Sequence, residues 1–334
     1  MSVNADAHGC DGRSFAPLKA VRARGWAIAL LLAAIACGPG SAGASAESPQ
    51  PPAKQPAPEG WFHVFALDEQ TYAISEPKYW QANVSYLLLG TKQALLFDTG
   101  PGLYSIRYVV SSLTSLPVLV VPSHLHFDHV GDLQEFADVR LLDTPELRSQ
   151  VHGGYFQDSP PRFMLRRGIE FKVAGWLADG QSIELGGRTV RIFATPGHTP
   201  DSITILDAPE RKRLFTGDLV NRAVSLVDVP GSDINALAAS LRRLVRVAPA
   251  GSRAYEAHSE SPIEHSELEE LAAGVPRIAG RQIKSAPMCL GGVPMLRYDI
   301  GKFPFVLPAA SGATLPPLGT ATQTLDWLGG ACAH

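Results

Sequence analysis

Residues 123–129 read Ser-His-Leu-His-Phe-Asp-His, which places three imidazoles and one carboxylate at His124, His126, Asp128 and His129. Four ligand-type side chains this close together outweigh the plainer readings, a histidine-rich surface loop or one satisfied core histidine. Imidazole nitrogen and carboxylate oxygen without thiolate suit zinc, manganese or iron rather than a cysteine-rich structural zinc site. The run at 117–122, Pro-Val-Leu-Val-Val-Pro, is apolar and β-branched, the pattern of a buried strand. The cluster therefore stands where a strand ends and the chain turns.

Three more strand ends deliver groups of the same kind. The run at 189–194 leads into Thr195-Pro196-Gly197-His198, the run at 213–216 ends at Gly217-Asp218, and the run at 253–257 ends at His258. Loops at strand ends on a rigid sheet are where catalytic groups collect. Short strands are also predicted over 61–67, 71–74, 84–89, 94–97, 139–142, 171–173, 182–185 and 202–206, and helices over 103–116, 234–247 and 263–279. A short helix over 130–136 is expected to carry the ligands in its first turn. Residues 145–168 read as irregular, a candidate pocket wall, and 283–285, 295–300 and 303–307 as short strands with Pro287, Pro294 and Pro304 between them.

With 334 residues, 45% hydrophobic and 18% charged, the chain can bury a full core. A net charge of −3 supplies no field that gathers polyanions, which argues against nucleic acid as a partner. Lys19, Arg22 and Arg24 precede an apolar run at 26–36, shorter than the roughly 20 residues a spanning helix needs. Basic residues before a short apolar core make a secretory signal over 1–46. Its end is open between Ala34-Ile35-Ala36-Cys37, where Cys37 would carry a lipid anchor, and Ala44-Ser45-Ala46. The expected location is the periplasm or the membrane surface of a bacterium. A Pro-rich linker follows at 47–60, then an ordered domain at 61–308 and a loosely ordered tail at 309–334. In an oxidising compartment Cys289 and Cys332 either pair or leave Cys289 buried and free.

His124-x-His126-x-Asp128-His129, His198 after Pro-Gly, Asp218 after Thr-Gly and His258 together resemble the signature of the metallo-β-lactamase superfamily, and Asp98-Thr99-Gly100 matches its early Asp-x-Gly. The resemblance covers about 61–280. It implies an α/β fold, the four-layer αββα sandwich, with two divalent metal ions on one edge. By that carry-over His124, His126 and His198 hold one ion, Asp128, His129 and His258 the other, and Asp218 bridges them. Asp98 and Asp201 are expected to orient ligands or turns, while His63, His152, His265 and His334 are expected to face solvent.

Two divalent ions roughly 3.5–4 Å apart lower the pKa of a shared water from 15.7 toward about 7, so hydroxide is available without a serine or cysteine nucleophile. Asp128 and Asp218 are the candidate catalytic carboxylates, Asp128 orienting the hydroxide or passing on its proton. Zinc is the expected metal, with manganese or iron as alternatives. The expected substrate is a small ester, thioester or lactone, with Tyr79, Trp80, Tyr155, Phe156 and Met164 as candidate pocket residues or core. Lactam cleavage ranks lower, because zinc β-lactamases lack the bridging carboxylate, and a mononuclear-iron persulfide dioxygenase remains a third possibility.

Overall fold

Successive side chains of a strand point to opposite faces of its sheet. A strand that is apolar at every position therefore needs cover on both faces. The computed structural model describes residues 57–157, 170–207, 209–227, 229, 231–290 and 292–310. The expected signal segment, most of the linker and the tail from 311 onward lie outside the described residues, as do Cys37, Met164, Cys332 and His334. Cys289 is disulfide-bonded, so the free-thiol alternative is excluded, and the Cys332 considered as its partner lies outside the described residues.

In chain order, β1 (His63–Asp68), β2 (Thr71–Ser75), β3 (Val84–Leu89), β4 (Ala94–Phe97), α1 (Ile106–Leu113), β5 (Val118–Val121) and β6 (Asp138–Leu142) open the fold. Then come α2 (Pro145–Ser149), β7 (Val151–His152), β8 (Tyr155–Gln157), β9 (Glu170–Lys172) and β10 (Gly175–Leu177). The second half holds β11 (Ser182–Glu184), β12 (Thr189–Ala194), β13 (Ile203–Asp207), β14 (Arg213–Gly217), β15 (Ser225–Leu226), α3 (Ile234–Val247), β16 (Arg253–Glu256), β17 (Ile263–Glu264) and α4 (His265–Ala279). It closes with β18 (Ala286–Leu290), β19 (Val293–Ile300) and β20 (Phe303–Pro308).

A seven-stranded sheet runs β1-β2-β3-β4-β5-β6-β10 and a six-stranded sheet runs β11-β12-β13-β14-β16-β17. They share one core. Leu87, Phe97 and Val121 of the first sheet belong to the same buried cluster as Ile192, Ile205, Phe215 and Tyr255 of the second. The ring of Tyr86 lies 4.8 Å from that of Phe215 across the join. The sequence neighbours Phe193, Leu206, Leu214 and Ala254 point the other way and are buried with Leu237 and Leu241 of α3 and Leu268 and Leu271 of α4. On the far side α1 contributes Ile106 and Val110 to the first cluster. The result is the four-layer αββα sandwich, and the amphipathic pattern of α3 places its bounds where the periodicity predicts them.

Several expectations are corrected. Residues 130–136 form only a single 3-10 turn at Leu133–Glu135, so the ligands sit on an irregular loop. The side chain of Asp132, a possible helix cap, instead accepts from the Ile106 N–H at the start of α1 at 2.7 Å. A Cβ at Gly131 would lie 2.2 Å from the Pro101 carbonyl carbon, so this segment is pressed against the 98–102 turn. Residues 145–157 are ordered rather than irregular: Thr144 accepts from Leu147 N and caps α2, and β7 and β8 pair around Gly153 and Gly154. The strand expected at 283–285 starts at Ala286.

Pro287, Pro294 and Pro304 lie inside β18, β19 and β20, not between them. Pro287 is on the edge strand, where a missing N–H leaves no ladder bond unmade, and Pro294 still uses its carbonyl, accepting from Ala309 N at 3.0 Å. His265 is half-buried rather than fully solvent-facing: its side chain is 18% exposed at the start of α4. Phe156 is core, stacked on Phe171 with ring centroids 5.1 Å apart, while its neighbour Tyr155 is exposed, as the period of a strand requires.

Candidate metal centre

The loop after β5 is held at both ends by backbone and carboxylate bonds. Ser123 N donates to Asp98 Oδ1 at 2.5 Å, Leu125 N donates to Asp201 Oδ2 at 3.1 Å, and Ser123 O accepts from Ile203 N at 2.7 Å. Thr99 N and Oγ1 donate to the His129 carbonyl at 2.8 and 3.1 Å. Asp98 itself adopts φ 67°, a left-handed conformation that costs a non-glycine residue on the order of 1 kcal/mol. At the end of β14, Gly217 has φ 52° and a Cβ there would lie 2.4 Å from Ser123 Cβ. Only glycine lets the strand end that carries Asp218 close onto the 123–129 loop.

Four strand ends thus bring together all seven side chains singled out in the sequence. The ligand atoms of His124, His126 and His198 lie within 4.8 Å of one another, as do those of His124, His129 and Asp218, and those of Asp128, His129 and His258. Asp218 faces both groups: its Oδ2 lies 3.0 Å from His258 Nε2 and 3.7 Å from His198 Nε2, and its Oδ1 lies 3.5 Å from His129 Nε2.

The donor set fits divalent cations. His126 Nδ1 and His198 Nε2 approach to 3.0 Å, close to the about 3.3 Å expected of two imidazole nitrogens sharing one tetrahedral ion at about 2.0–2.1 Å. His124 Nε2, His129 Nε2 and Asp218 Oδ1 are buried without hydrogen-bond partners. Leaving a buried polar group unmatched costs about 1–3 kcal/mol, and three that converge on one place mark a position built for something else. The opposite ring nitrogens are spoken for. His129 Nδ1 donates to Asp98 Oδ2 at 3.0 Å, His258 Nδ1 donates to the Gln81 carbonyl at 2.9 Å, and His124 Nδ1 meets Ser123 Oγ at 2.9 Å. A carbonyl or carboxylate accepts the Nδ1 proton, which leaves the Nε2 lone pair turned inward.

A family model described as the metallo-beta-lactamase superfamily matches residues 79–250, just over half of the 334-residue chain. The chain belongs to that superfamily. Acyl-coenzyme A thioesterase MBLAC2 from Homo sapiens and from Bos taurus are each 30% identical over 223 residues, covering 57% of this chain and 78% of theirs. A probable metallo-hydrolase, YqgX of Bacillus subtilis, is 27% identical over 174 residues, covering 51% of this chain and 81% of its own. Among solved structures, a metallo-beta-lactamase family protein from Thermus thermophilus superposes with a TM-score of 0.50 at 23% identity, over 66% of this chain and 85% of that one. This superfamily member is a metal-dependent hydrolase.

The electrostatics of the centre divide its imidazoles into two kinds. Burial and the neighbouring rings of His129, His126 and His198 hold His124 well below the ordinary histidine range, and burial with His126 brings His198 down to about 3. Both are neutral lone-pair donors. Burial also opposes charge on His258, but Asp218 and Asp128 outweigh it and raise this ring to about 9, and carboxylates raise His129 likewise. Burial pushes Asp218 up, yet His258 and His129 keep its carboxylate well below the usual range.

Four residues around the centre were missed in the sequence. Asn83 binds Asp128, Gln81 binds His258, Ser123 binds His124, and the buried Glu256 accepts from Arg222 N at 3.0 Å, holding the segment after Asp218. Ser123 abuts the motif and could have been read from it. The others lie far off in sequence and carried no pattern. The Asp98 partner of His129 was expected from the sequence, and it yields a test. Asp98→Asn removes the charge that makes this imidazole a strong donor, and the metal affinity of the centre is expected to fall about 10–100-fold by chelator competition. An affinity within twofold of the parent would rule out that role.

Proposed function

We propose that this hydrolase is exported and opens a small ester, thioester or lactone at two divalent cations, zinc being the expected metal. His124, His126 and His198 hold one cation, Asp128, His129 and His258 the other, and Asp218 contacts both. The observation that carries this reading is the position of the Asp218 carboxylate between the two donor groups, with Oδ1 buried and unpartnered. When bound, the cations supply Lewis acidity and bring a water pKa from 15.7 toward about 7.

The chain's own part is orientation and proton handling. Asp98, Gln81 and Ser123 fix the ring planes of His129, His258 and His124. Asp128, 2% exposed, turns Oδ2 toward His129 and His258 and serves as the proton acceptor in attack. No serine or cysteine nucleophile is used. A thioester is the favoured bond, supported by the similarity to MBLAC2 proteins named as acyl-coenzyme A thioesterases. Lactam cleavage ranks below it because Asp218 stands between the two groups. The export reading rests on residues 19–46, with attachment to the membrane only through a lipid on Cys37.

The deciding experiment is metal analysis of the purified chain alongside chromogenic esters, thioesters, lactones and a cephalosporin. Two divalent ions per chain and thioester turnover that is lost to a chelator and restored by Zn2+ or Mn2+ are expected. Absence of transition metal, or one iron with oxygen uptake, would overturn it.

A further inference from the structure

The segment between β2 and β3 contributes no residue to the seven, yet it grips two of the three ligands of one cation position. Asn83 Nδ2 donates to Asp128 Oδ2 at 3.0 Å and to the Asp128 carbonyl at 2.9 Å. That Oδ2 is the oxygen turned toward the centre, 3.2 Å from His129 Nε2 and 3.7 Å from His258 Nε2. Two residues earlier, the Gln81 carbonyl accepts from His258 Nδ1. At the first position, His124 meets Ser123 of its own loop instead, Nδ1 to Oγ at 2.9 Å.

The segment is built as a rigid clamp. Glu76 N donates to Asn83 O at 2.8 Å, and Tyr79 N and Ala82 N donate to Glu76 O and Tyr79 O at 3.0 and 2.9 Å, closing the loop on itself. Between the two grips Ala82 holds φ 51°, a conformation that an alanine adopts only when its surroundings over-determine it. Asn83 is 2% exposed, and its Oδ1 is buried without a hydrogen-bond partner, so its amide is oriented for the donor side at the expense of the acceptor.

We infer that Asn83 is a positioning residue that sets the affinity of the Asp128–His129–His258 position separately from the other. Its amide holds the carboxylate so that one oxygen keeps a lone pair for the cation, and it occupies the remaining lone pair of that oxygen. An amide, unlike an ammonium or guanidinium, carries no charge, so the negative charge of Asp128 stays available to the cation. The inference rests on the two-cation reading of the centre.

The test uses the full chain, loaded with Zn2+ and titrated with a chelator, and reads the two dissociation constants rather than turnover. Asn83→Ala is expected to weaken one cation about 10–100-fold while the other stays within about threefold of the parent. Asn83→Asp keeps the volume, and circular dichroism checks that both variants fold. It turns a carboxylate against both the Oδ2 and the carbonyl oxygen of Asp128, so it is expected to weaken the same cation at least as much. Parent-like or tighter binding of both cations in whichever variant folds would overturn the inference. A parent chain that holds fewer than two cations would instead overturn the two-cation reading.

Discussion

Asp218→Ala is expected to strip the centre of metal and to lower kcat/KM by about a thousandfold or more, which corresponds to about 4 kcal/mol of transition-state stabilisation. The magnitude follows from position. The carboxylate stands 3.0–3.7 Å from ring nitrogens of His258, His129 and His198, and thus faces both donor groups at once. Removing it leaves converging imidazoles around a buried space with half of the anionic charge gone, since Asp128 is the other carboxylate of the seven. His126→Ala, which deletes one donor of the 3.0 Å pair with His198, is expected to match it in activity while sparing part of the metal at the Asp128 side. Elemental analysis and initial rates on the same preparations check both, and full turnover by metal-free Asp218→Ala would disprove the mechanism.

Arg188→Met is expected to destabilise the fold by about 3–5 kcal/mol without touching the centre, the cost of stranding one charge of a buried pair. The Arg188 and Asp207 side chains are 1% and 0% exposed, joined through Nε at 2.9 Å and Nη2 at 2.6 Å. The same guanidinium donates to the Gln70 and Leu89 carbonyls and to Thr71 Oγ1, so it ties the β11–β12 hairpin to β2 and β3 across the two sheets. A methionine fills the volume but satisfies none of these acceptors. Urea unfolding should show a lower midpoint at an unchanged slope. Arg188→Met combined with Asp207→Leu is expected to recover part of the loss, because no lone charge then remains buried. A single variant within about 1 kcal/mol of the parent would contradict this account.

The sequence by itself picked out seven candidate ligands, and its resemblance to the superfamily implied the four layers. His124 to His129 crowd one strand end, while His198, Asp218 and His258 each follow an apolar run and were named by their joint order, which matches the superfamily signature. Strands such as β3, β4 and β12, and the amphipathic α3, were legible because burial imposes a period that the residues must obey. Tertiary structure alone decided the rest. The loop at 130–136 lost its helix because Asp132 serves α1 and Gly131 is packed on Pro101, both partners some 26 to 30 residues away. Phe156 became core and Tyr155 surface only once β8 paired with β9. Asn83, Gln81 and Glu256 gained their roles from contacts that span 34 to 177 residues. Periodicity reports which face of an element is buried. It is silent about which distant side chain arrives there to orient a ligand, since that depends on how the two sheets are stacked.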